Sequence, residues 1–324
     1  MYRRHTFGIL AASATVVLCA TATASSAGGA SAPNPFASAP FFVDPGSTAA
    51  RQARAWRRSR PSWARAIRKI AAQPQADWFT NQDPGQVYRN IRLRVNRIAA
   101  AGKLPVLVAY DITARDCGSY SSGGATSASG YKRWIRRFAA GIGRRHAVVI
   151  LEPDALPELE CLSVGARETR LALLRDAVSV LAAKPSVSVY LDAGQSAWRS
   201  VASMASRLRA AGAGRARGFS LNVASYWPTA EQIAYGNALA LALGGKHYVV
   251  DTSRNGRGPL GNEWCNPPGR GLGERPTTAT ASPFADAYFW IKRPGESDGS
   301  CNGGPSAGRW WPEYAVGLAR RAPY

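Results

Sequence analysis

Short apolar runs alternate with longer segments of helical periodicity along most of the chain, and this alternation restricts the fold more than any other feature. The runs are nearly continuous, which is typical of strands buried on both faces. They occupy residues 75–80, 104–112, 146–154, 187–194, 218–225, 247–254 and 287–294. Segments predicted to be helices separate most of them, at 86–102, 131–143, 166–184, 195–212 and 229–244. We therefore predict an α/β fold whose seven parallel strands form a closed or nearly closed barrel.

The first thirty residues have a different composition. Arg3 and Arg4 precede an apolar stretch that is rich in small residues, which is typical of a secretory signal peptide. We predict that residues 1–30 are this peptide, that the protein is secreted to the extracellular space, and that the mature chain has no membrane span. No second domain is visible, so residues 31–324 are expected to form one domain and to act as a monomer.

Cysteine usage agrees with export. Cys19 lies in the predicted signal peptide and leaves four cysteines, an even number that indicates two disulfides in an exported protein. Three pairings are possible, and we favour Cys117–Cys161 with Cys265–Cys301, because each would join two neighbouring loops.

The chain is strongly basic, with 41 Lys and Arg against 20 Asp and Glu and a formal net charge of +21. Such a charge raises the question of nucleic-acid binding. The arginines, however, are scattered through predicted helices at spacings that suit solvent-facing positions. We favour a basic surface on an exported protein, expect no nucleic-acid partner, and note that such a charge attracts acidic surfaces such as cell walls.

Carboxylates follow five of the seven predicted strands. They are Asp111 and Asp116, Glu152 and Asp154, Asp192, Asp251, and Glu296 and Asp298. The C-terminal ends of barrel strands form the rim where active sites are built. Pro153 lacks an N–H and ends its strand, so Asp154 is expected at this rim. Partly apolar surroundings and nearby acids would raise the pKa of Asp154 and suit it to general acid catalysis.

Other chemistries lack their sequence signatures. The first strand is followed by no glycine-rich phosphate loop, and the three histidines have no neighbouring serine or cysteine that would indicate a catalytic triad. We therefore expect no cofactor and no metal. A single acid after a strand is more often a helix cap or an ion-pair partner, but five such strands favour a pair of carboxylates that acts on a glycosidic bond. Tryptophans near strand ends could stack on sugars, although core packing is an equal alternative and is expected for Trp290.

Six motifs, taken in order, resemble glycoside hydrolase family 6, the inverting cellulases. They are VAYDITARDCGSYSSGG, ILEPDALPEL, VYLDAGQSAW, VVDTSRNGRGP, EWCNPPGRGLG and WIKRPGESDGSC, and the resemblance runs from about residue 34 to the C-terminus. It implies a distorted seven-stranded, TIM-barrel-like catalytic domain over residues 31–324, without a carbohydrate-binding module. It also implies hydrolysis of β-1,4-glucan with inversion at the anomeric carbon, and the family's disulfides agree with the favoured pairing.

The same resemblance implies roles for individual residues. Asp154 matches the general acid, and Asp116 matches the aspartate that raises its pKa and helps to organise the attacking water. Asp298 matches the carboxylate proposed as base, and Asp192 matches a supporting aspartate of the cleft. The remaining matches are to sugar-binding positions: Tyr110, Trp78, Trp198, Trp264, Lys292 and Glu296. The family usually has histidine where this chain has Gln195, followed by Ser196, so one subsite contact is altered.

Two loop lengths favour internal cleavage of the glucan. The segments 117–131 and 264–287 are short, which leaves little sequence for a lid over the site. We therefore predict an open cleft and an endo-β-1,4-glucanase. An exo-acting cellobiohydrolase and a non-catalytic polysaccharide or cell-wall binder are the alternatives.

Overall fold

The computed structural model describes residues 1–3, 5, 6, 8 and 33–324, and the architecture below concerns residues 33–324. The predicted signal peptide, including Cys19, lies almost entirely outside the described residues. Among the residues that are described, no helix is both long enough and apolar enough to cross a membrane.

Seven parallel strands form one sheet in the order of the sequence, as predicted. They are β1 (Asp77–Phe79), β2 (Val106–Ala109), β3 (Ala147–Leu151), β4 (Val187–Asp192), β5 (Gly218–Leu221), β6 (His247–Asp251) and β7 (Ala285–Phe289). Every strand lies within one of the apolar runs or overlaps it. All five residues of β3 and all five of β7 are buried, which explains why these runs contain little polar alternation.

Eight α-helices surround the sheet in the described residues. They are α1 (Thr48–Ala55), α2 (Pro61–Ala71), α3 (Pro84–Ala100), α4 (Ala128–Ile142), α5 (Val164–Ala182), α6 (Val201–Ala210), α7 (Thr229–Ala242) and α8 (Pro312–Arg320). The five predicted helices correspond to α3–α7, whereas the strand pattern gave no indication of α1 and α2. The prediction for α6 started six residues early, because Ser200 caps the helix by accepting a hydrogen bond from Ser203 N.

The sheet curls into an incomplete barrel whose edges, β1 and β7, meet. Ala76 N donates to the Trp290 carbonyl at 3.0 Å, and the Trp78 indole N–H donates to the Ile291 carbonyl at 2.8 Å. Arg293 Nε donates to the Ala76 carbonyl at 2.9 Å on the same seam. These contacts replace a regular strand ladder, so the barrel is distorted along this seam.

Buried side chains form separate layers inside and outside the sheet. Val106, Val108 and Ile150 pack within the barrel, while Leu107 and Val149 pack against the surrounding helices. A third cluster joins α1, α2 and α8 to Trp290, which is fully buried as expected. This packing fixes the strands, and their C-terminal ends carry the candidate site.

Candidate active site

Asp154 lies on a strained turn immediately after β3. Both Glu152 and Asp154 have positive φ, 50° and 68°, on either side of Pro153. Non-glycine residues seldom adopt this backbone conformation, and it concentrates at functional sites. The Glu152 carboxylate supports the turn by accepting hydrogen bonds from Asp111 N and Ile112 N at 3.0 Å, which joins the chain after β3 to the chain after β2. The turn presents Asp154 half-buried at the rim.

Burial and neighbouring acids raise the pKa of Asp154 well above its ordinary value. Burial is the largest cause, and the negative charges of Asp192, Glu158 and Asp116 add to it, while Lys292 opposes them. Asp192 is the most directly connected of these acids, because its carboxylate accepts a hydrogen bond from Asp154 N at 3.0 Å. A carboxyl group in this setting keeps its proton to higher pH than an ordinary aspartate and can donate it to a leaving group.

Asp192 and Glu158 also have raised pKa values, each about 7 and caused mainly by burial. Asp192 is held by Gly194 N and by the Ser220 hydroxyl, both at 3.1 Å. Glu158 lies beside Cys117, with Oε2 at 3.4 Å from its sulfur. These acids are close enough to Asp154 to titrate together with it.

Asp116 lies after β2 in a short 3-10 turn, where both it and Cys117 have positive φ. Its carboxylate accepts a hydrogen bond from Ser121 N at 2.6 Å. Burial raises the pKa of Asp116, and the nearby charge of Asp298 raises it further, against the lowering effects of Ser121 N and Arg115. The loops after β2 and β7 therefore bring two carboxylates near each other.

Asp298 differs electrostatically from the other acids. Arg254 Nη1 donates to both of its oxygens at 2.9 and 2.8 Å, and Lys292 Nζ lies 3.1 Å from Oδ1. The Tyr226 hydroxyl and Asn266 N each donate to Oδ2 at 3.1 Å. Arg254 and Lys292 outweigh the effect of burial and hold the pKa of Asp298 at about 2. The site therefore combines one carboxylate whose pKa is lowered with several acids whose pKa values are raised.

Two aromatic side chains line the barrel side of this cluster. Tyr110 is buried, and its ring meets that of Trp78 edge to face, with centroids 5.4 Å apart. Burial and the charges of Asp154 and Asp116 raise the pKa of Tyr110 well above 10, so its hydroxyl stays protonated. Glu296 is half-buried at the same end of the cleft and pairs with Arg293 at 3.5 Å.

Gln195 and Trp198 lie on the turn after β4. The Gln195 side chain accepts a hydrogen bond from Ala197 N at 2.6 Å, and Trp198 N donates to the Gln195 carbonyl at 3.0 Å. The neighbouring Ser196 is held by Gln232, a fully buried residue of α7, through its N–H at 3.2 Å and its hydroxyl at 2.8 Å. Gln195, which stands where the family resembled above usually has histidine, thus belongs to an ordered turn. Gln232 of α7 holds that turn in place.

Trp264 has half of its surface exposed, and its ring centroid is 5.9 Å from that of Tyr120. Tyr120 also covers Gly299, where an added Cβ would lie 2.3 Å from Tyr120 Cγ. The loops after β2 and β7 therefore touch through one aromatic side chain, next to Asp298.

We expect Gly299→Ala to lower kcat/KM by about ten- to a hundredfold, because the new methyl group displaces Tyr120 and, with it, the loop that carries Asp116. Steady-state kinetics on a soluble glucan measure this change. The double variant Tyr120→Gly/Gly299→Ala is the control, since Cβ of Tyr120 would itself lie 2.4 Å from the added methyl group, and it should be no worse than Tyr120→Gly alone. A double variant that combines both losses would contradict the steric explanation.

Two disulfides secure the loops, with the pairing favoured from the sequence. Cys117 joins Cys161, and Cys265 joins Cys301. In the part of the chain that the structure describes, no group of three or more His, Cys, Asp and Glu side chains is placed to hold a metal ion.

Sequence reasoning missed the groups that set the charge states of these acids. Glu158 lies four residues after Asp154 in a segment already noted for its acids, and Arg254 lies at the end of a run predicted to be a buried strand. An arginine at the end of a run predicted to be buried could have indicated this ion pair, because a buried cation needs an anion as its partner.

Comparison with known proteins relates the chain to one family of hydrolases. The sequence model described as "Glycosyl hydrolases family 6" matches residues 36–322. Endoglucanase A of Cellulomonas fimi is 45% identical over 87% of this chain, and Endoglucanase 1 of Streptomyces halstedii is 44% identical over 85% of it. The chain spans 61% of the length of the first relative and 87% of the second.

Solved structures of two endoglucanases resemble the fold of this chain. The endoglucanase Cel6 from Mycobacterium tuberculosis, in complex with methyl-cellobiosyl-4-deoxy-4-thio-β-D-cellobioside, is 47% identical with a TM-score of 0.85. The match covers 89% of this chain and 99% of that one. Endoglucanase CEL6B from Humicola insolens has a TM-score of 0.79 at 26% identity, over 90% of this chain and 99% of that one.

Proposed function

Because the chain belongs to glycosyl hydrolases family 6, we propose that it is an endo-β-1,4-glucanase that cleaves internal bonds of β-1,4-glucan with inversion. The observation that carries the proposal is Asp154, a carboxyl group with a raised pKa at the barrel rim, surrounded by further acids of different charge state. Pairs of carboxylates whose pKa values differ are the arrangement that acid–base glycoside cleavage needs.

In the proposed reaction, Asp154 gives its proton to the glycosidic oxygen as the bond between that oxygen and the anomeric carbon breaks. A water molecule attacks the same carbon from the opposite face and loses one proton. Asp298, ionised and held by Arg254 and Lys292, stabilises the positive charge that develops on the sugar. Its pKa of about 2 makes it a weak base, so Asp116, whose pKa is raised, is the better acceptor of the water's proton.

Sugar binding is proposed for the aromatic and polar residues around these acids. Trp78, Trp198 and Trp264 offer ring faces, and Tyr110, Lys292 and Glu296 offer hydrogen-bonding groups. Gln195 is neutral at every pH at which histidine would titrate, so the turn after β4 should lack the pH sensitivity that histidine would give it. Two disulfides support the further proposal that the protein is secreted.

Internal cleavage is favoured over release from chain ends by two observations. Relatives named endoglucanase are 44–45% identical, whereas relatives named probable cellobiohydrolase C are 31% identical. The segments that could form a lid are also short. The test follows viscosity and reducing ends together, on carboxymethylcellulose and mixed-linkage β-glucan. Fast viscosity loss with few new ends supports the proposal; cellobiose release at constant viscosity overturns it, and binding without release indicates a non-catalytic binder.

The proposed general acid predicts the alkaline limb of the pH profile. Asp154 must be protonated, so kcat/KM should fall as pH rises through the apparent pKa of the cluster. Glu158→Gln removes a negative charge that raises the pKa of Asp154, and this limb should therefore move to lower pH. Glu168→Gln, an exposed change on α5, is the matched control. A limb that stays in place or moves upward in Glu158→Gln would refute the coupling.

A further inference from the structure

The helical hairpin formed by α1 and α2 is the most one-sidedly charged part of the molecule. Residues 45–76 contain eight Lys and Arg and no Asp or Glu. Seven of the eight are exposed, and these are Arg51, Arg54, Arg57, Arg58, Arg60, Arg65 and Arg68. The opposite face of the hairpin is apolar and packs on α8 through residues such as Ile67 and Ile70. The charges therefore lie together on an outer surface, which we term the arginine face.

Three of the seven exposed arginines make contacts within the hairpin or with the chain beside it. Arg60 lies over the rings of Trp56 and Trp63, at 5.0 and 5.3 Å from their centroids, and so secures the turn between the helices. Arg51 donates a hydrogen bond to the Gly46 carbonyl and Arg54 donates one to the Pro45 carbonyl, both in the chain just before α1. These contacts explain three of the seven arginines.

The other four are Arg57, Arg58, Arg65 and Arg68, and none of their guanidinium groups contacts a carboxylate of the described residues. Some exposed arginines elsewhere do find partners: Arg136 pairs with Asp176 at 3.0 Å, and Arg97 pairs with Asp44 at 3.5 Å. Like charges three or four residues apart destabilise a helix by about 0.2–0.5 kcal/mol per pair. Arg65 and Arg68 lie three residues apart on α2 with no carboxylate beside them, so an external anion bound here would relieve their repulsion.

The hairpin lies next to the proposed sugar-binding residues, and this position limits which kind of anion could bind to it. The first turn of α1, including Ser47 and Thr48, lines a cavity of about 510 Å³ that is also lined by Trp78 and Glu296, two of the proposed sugar-binding residues. Arg51 of the arginine face lines the same cavity, so a polymer held on this face would reach the proposed place of the glucan chain. Polysaccharides that bear carboxylates have the charge and the extended shape for this position.

We propose that the arginine face binds a carboxylate-bearing polysaccharide, such as a polyuronate, next to the cleft. The choice of a polysaccharide rests on the proposed function, whereas the binding site rests on the arginines alone. Binding here would keep the enzyme on mixed material in which neutral glucan and acidic polymer lie together.

The test measures binding of the full chain to polygalacturonate without catalysis, in low and high salt. We expect Arg57→Gln/Arg58→Gln/Arg65→Gln/Arg68→Gln to weaken binding at least about tenfold in low salt and to reduce its dependence on salt. The matched control removes an equal number of charges from another basic cluster, through Arg92→Gln/Lys103→Gln/Arg144→Gln/Arg145→Gln. It should change binding less than twofold.

Three outcomes would overturn the proposal. Equal losses in the two variants would show an effect of net charge, and unchanged binding in the hairpin variant would exclude the face. Tighter binding of wild type to double-stranded DNA than to polygalacturonate, lost in the hairpin variant, would identify a nucleic-acid surface instead. Activity of both variants on neutral mixed-linkage β-glucan should equal that of wild type, and this readout separates failure of the hairpin proposal from failure of the proposed function.

Discussion

Replacing Asp154 by alanine should lower kcat on β-1,4-glucan by about 10²–10⁴-fold, the usual contribution of a positioned general acid. The loss should depend on the leaving group. An aryl glycoside with an acidic phenol needs little protonation, so its cleavage should suffer much less than cleavage of the glucan. Kinetics on the two kinds of substrate measure this difference directly.

Asp176→Ala is the matched control for this variant, since it removes a carboxylate of α5 whose partner is Arg136 and not a member of the acid cluster. It should leave both substrates unaffected. If Asp154→Ala lost activity equally on both, the residue would be a structural element rather than the acid. Unimpaired cleavage of glucan by Asp154→Ala would remove the proposed mechanism altogether.

Replacing Arg254 by methionine should have the largest effect on stability. Arg254 is fully buried and donates to both oxygens of Asp298. Its removal leaves a buried carboxylate with Lys292 as its remaining cation, and breaking a buried pair in this way costs about 3–5 kcal/mol. Urea unfolding at neutral pH measures the free energy of unfolding, and Arg309→Met, at an exposed position, is the control.

The pH dependence of this effect has a definite sign. The pKa of Asp298 is lowered from 3.8 to about 2, so its contribution to stability is present above about pH 4 and is lost as pH falls toward 2. Wild type and Arg254→Met should therefore differ most at neutral pH and converge in acid. A difference that persists unchanged at pH 2 would show that Arg254 acts through packing and not through Asp298.

The apolar runs predicted the sheet well, because a strand buried on both faces is nearly continuous in sequence, as β3 and β7 illustrate. The hairpin of α1 and α2 escaped notice for the opposite reason. Its apolar face is built largely from alanines and two isoleucines among many arginines, which gives a weak pattern. Tertiary packing on α8 decides that this segment is helical.

The acids show a similar limit. Their arrival at one rim could be predicted, since the ends of parallel strands meet there. Their charge states could not, because these depend on groups distant in sequence: Arg254 and Asp298 are 44 residues apart, and Asp154 and Asp192 are 38 apart. The positive φ of Glu152 and Asp154 likewise reflects constraints from the chain after β2.

Both disulfides border the acid-bearing loops and none of the strands. Cys117 follows Asp116, Cys161 lies three residues after Glu158, and Cys301 lies three residues after Asp298. Neither disulfide therefore joins one strand to another, and each instead ties down a loop that carries one of the acids. Reduction of the two disulfides should therefore loosen the acid-bearing loops before it loosens the sheet, so thiol conditions would control the geometry of the rim more than that of the barrel.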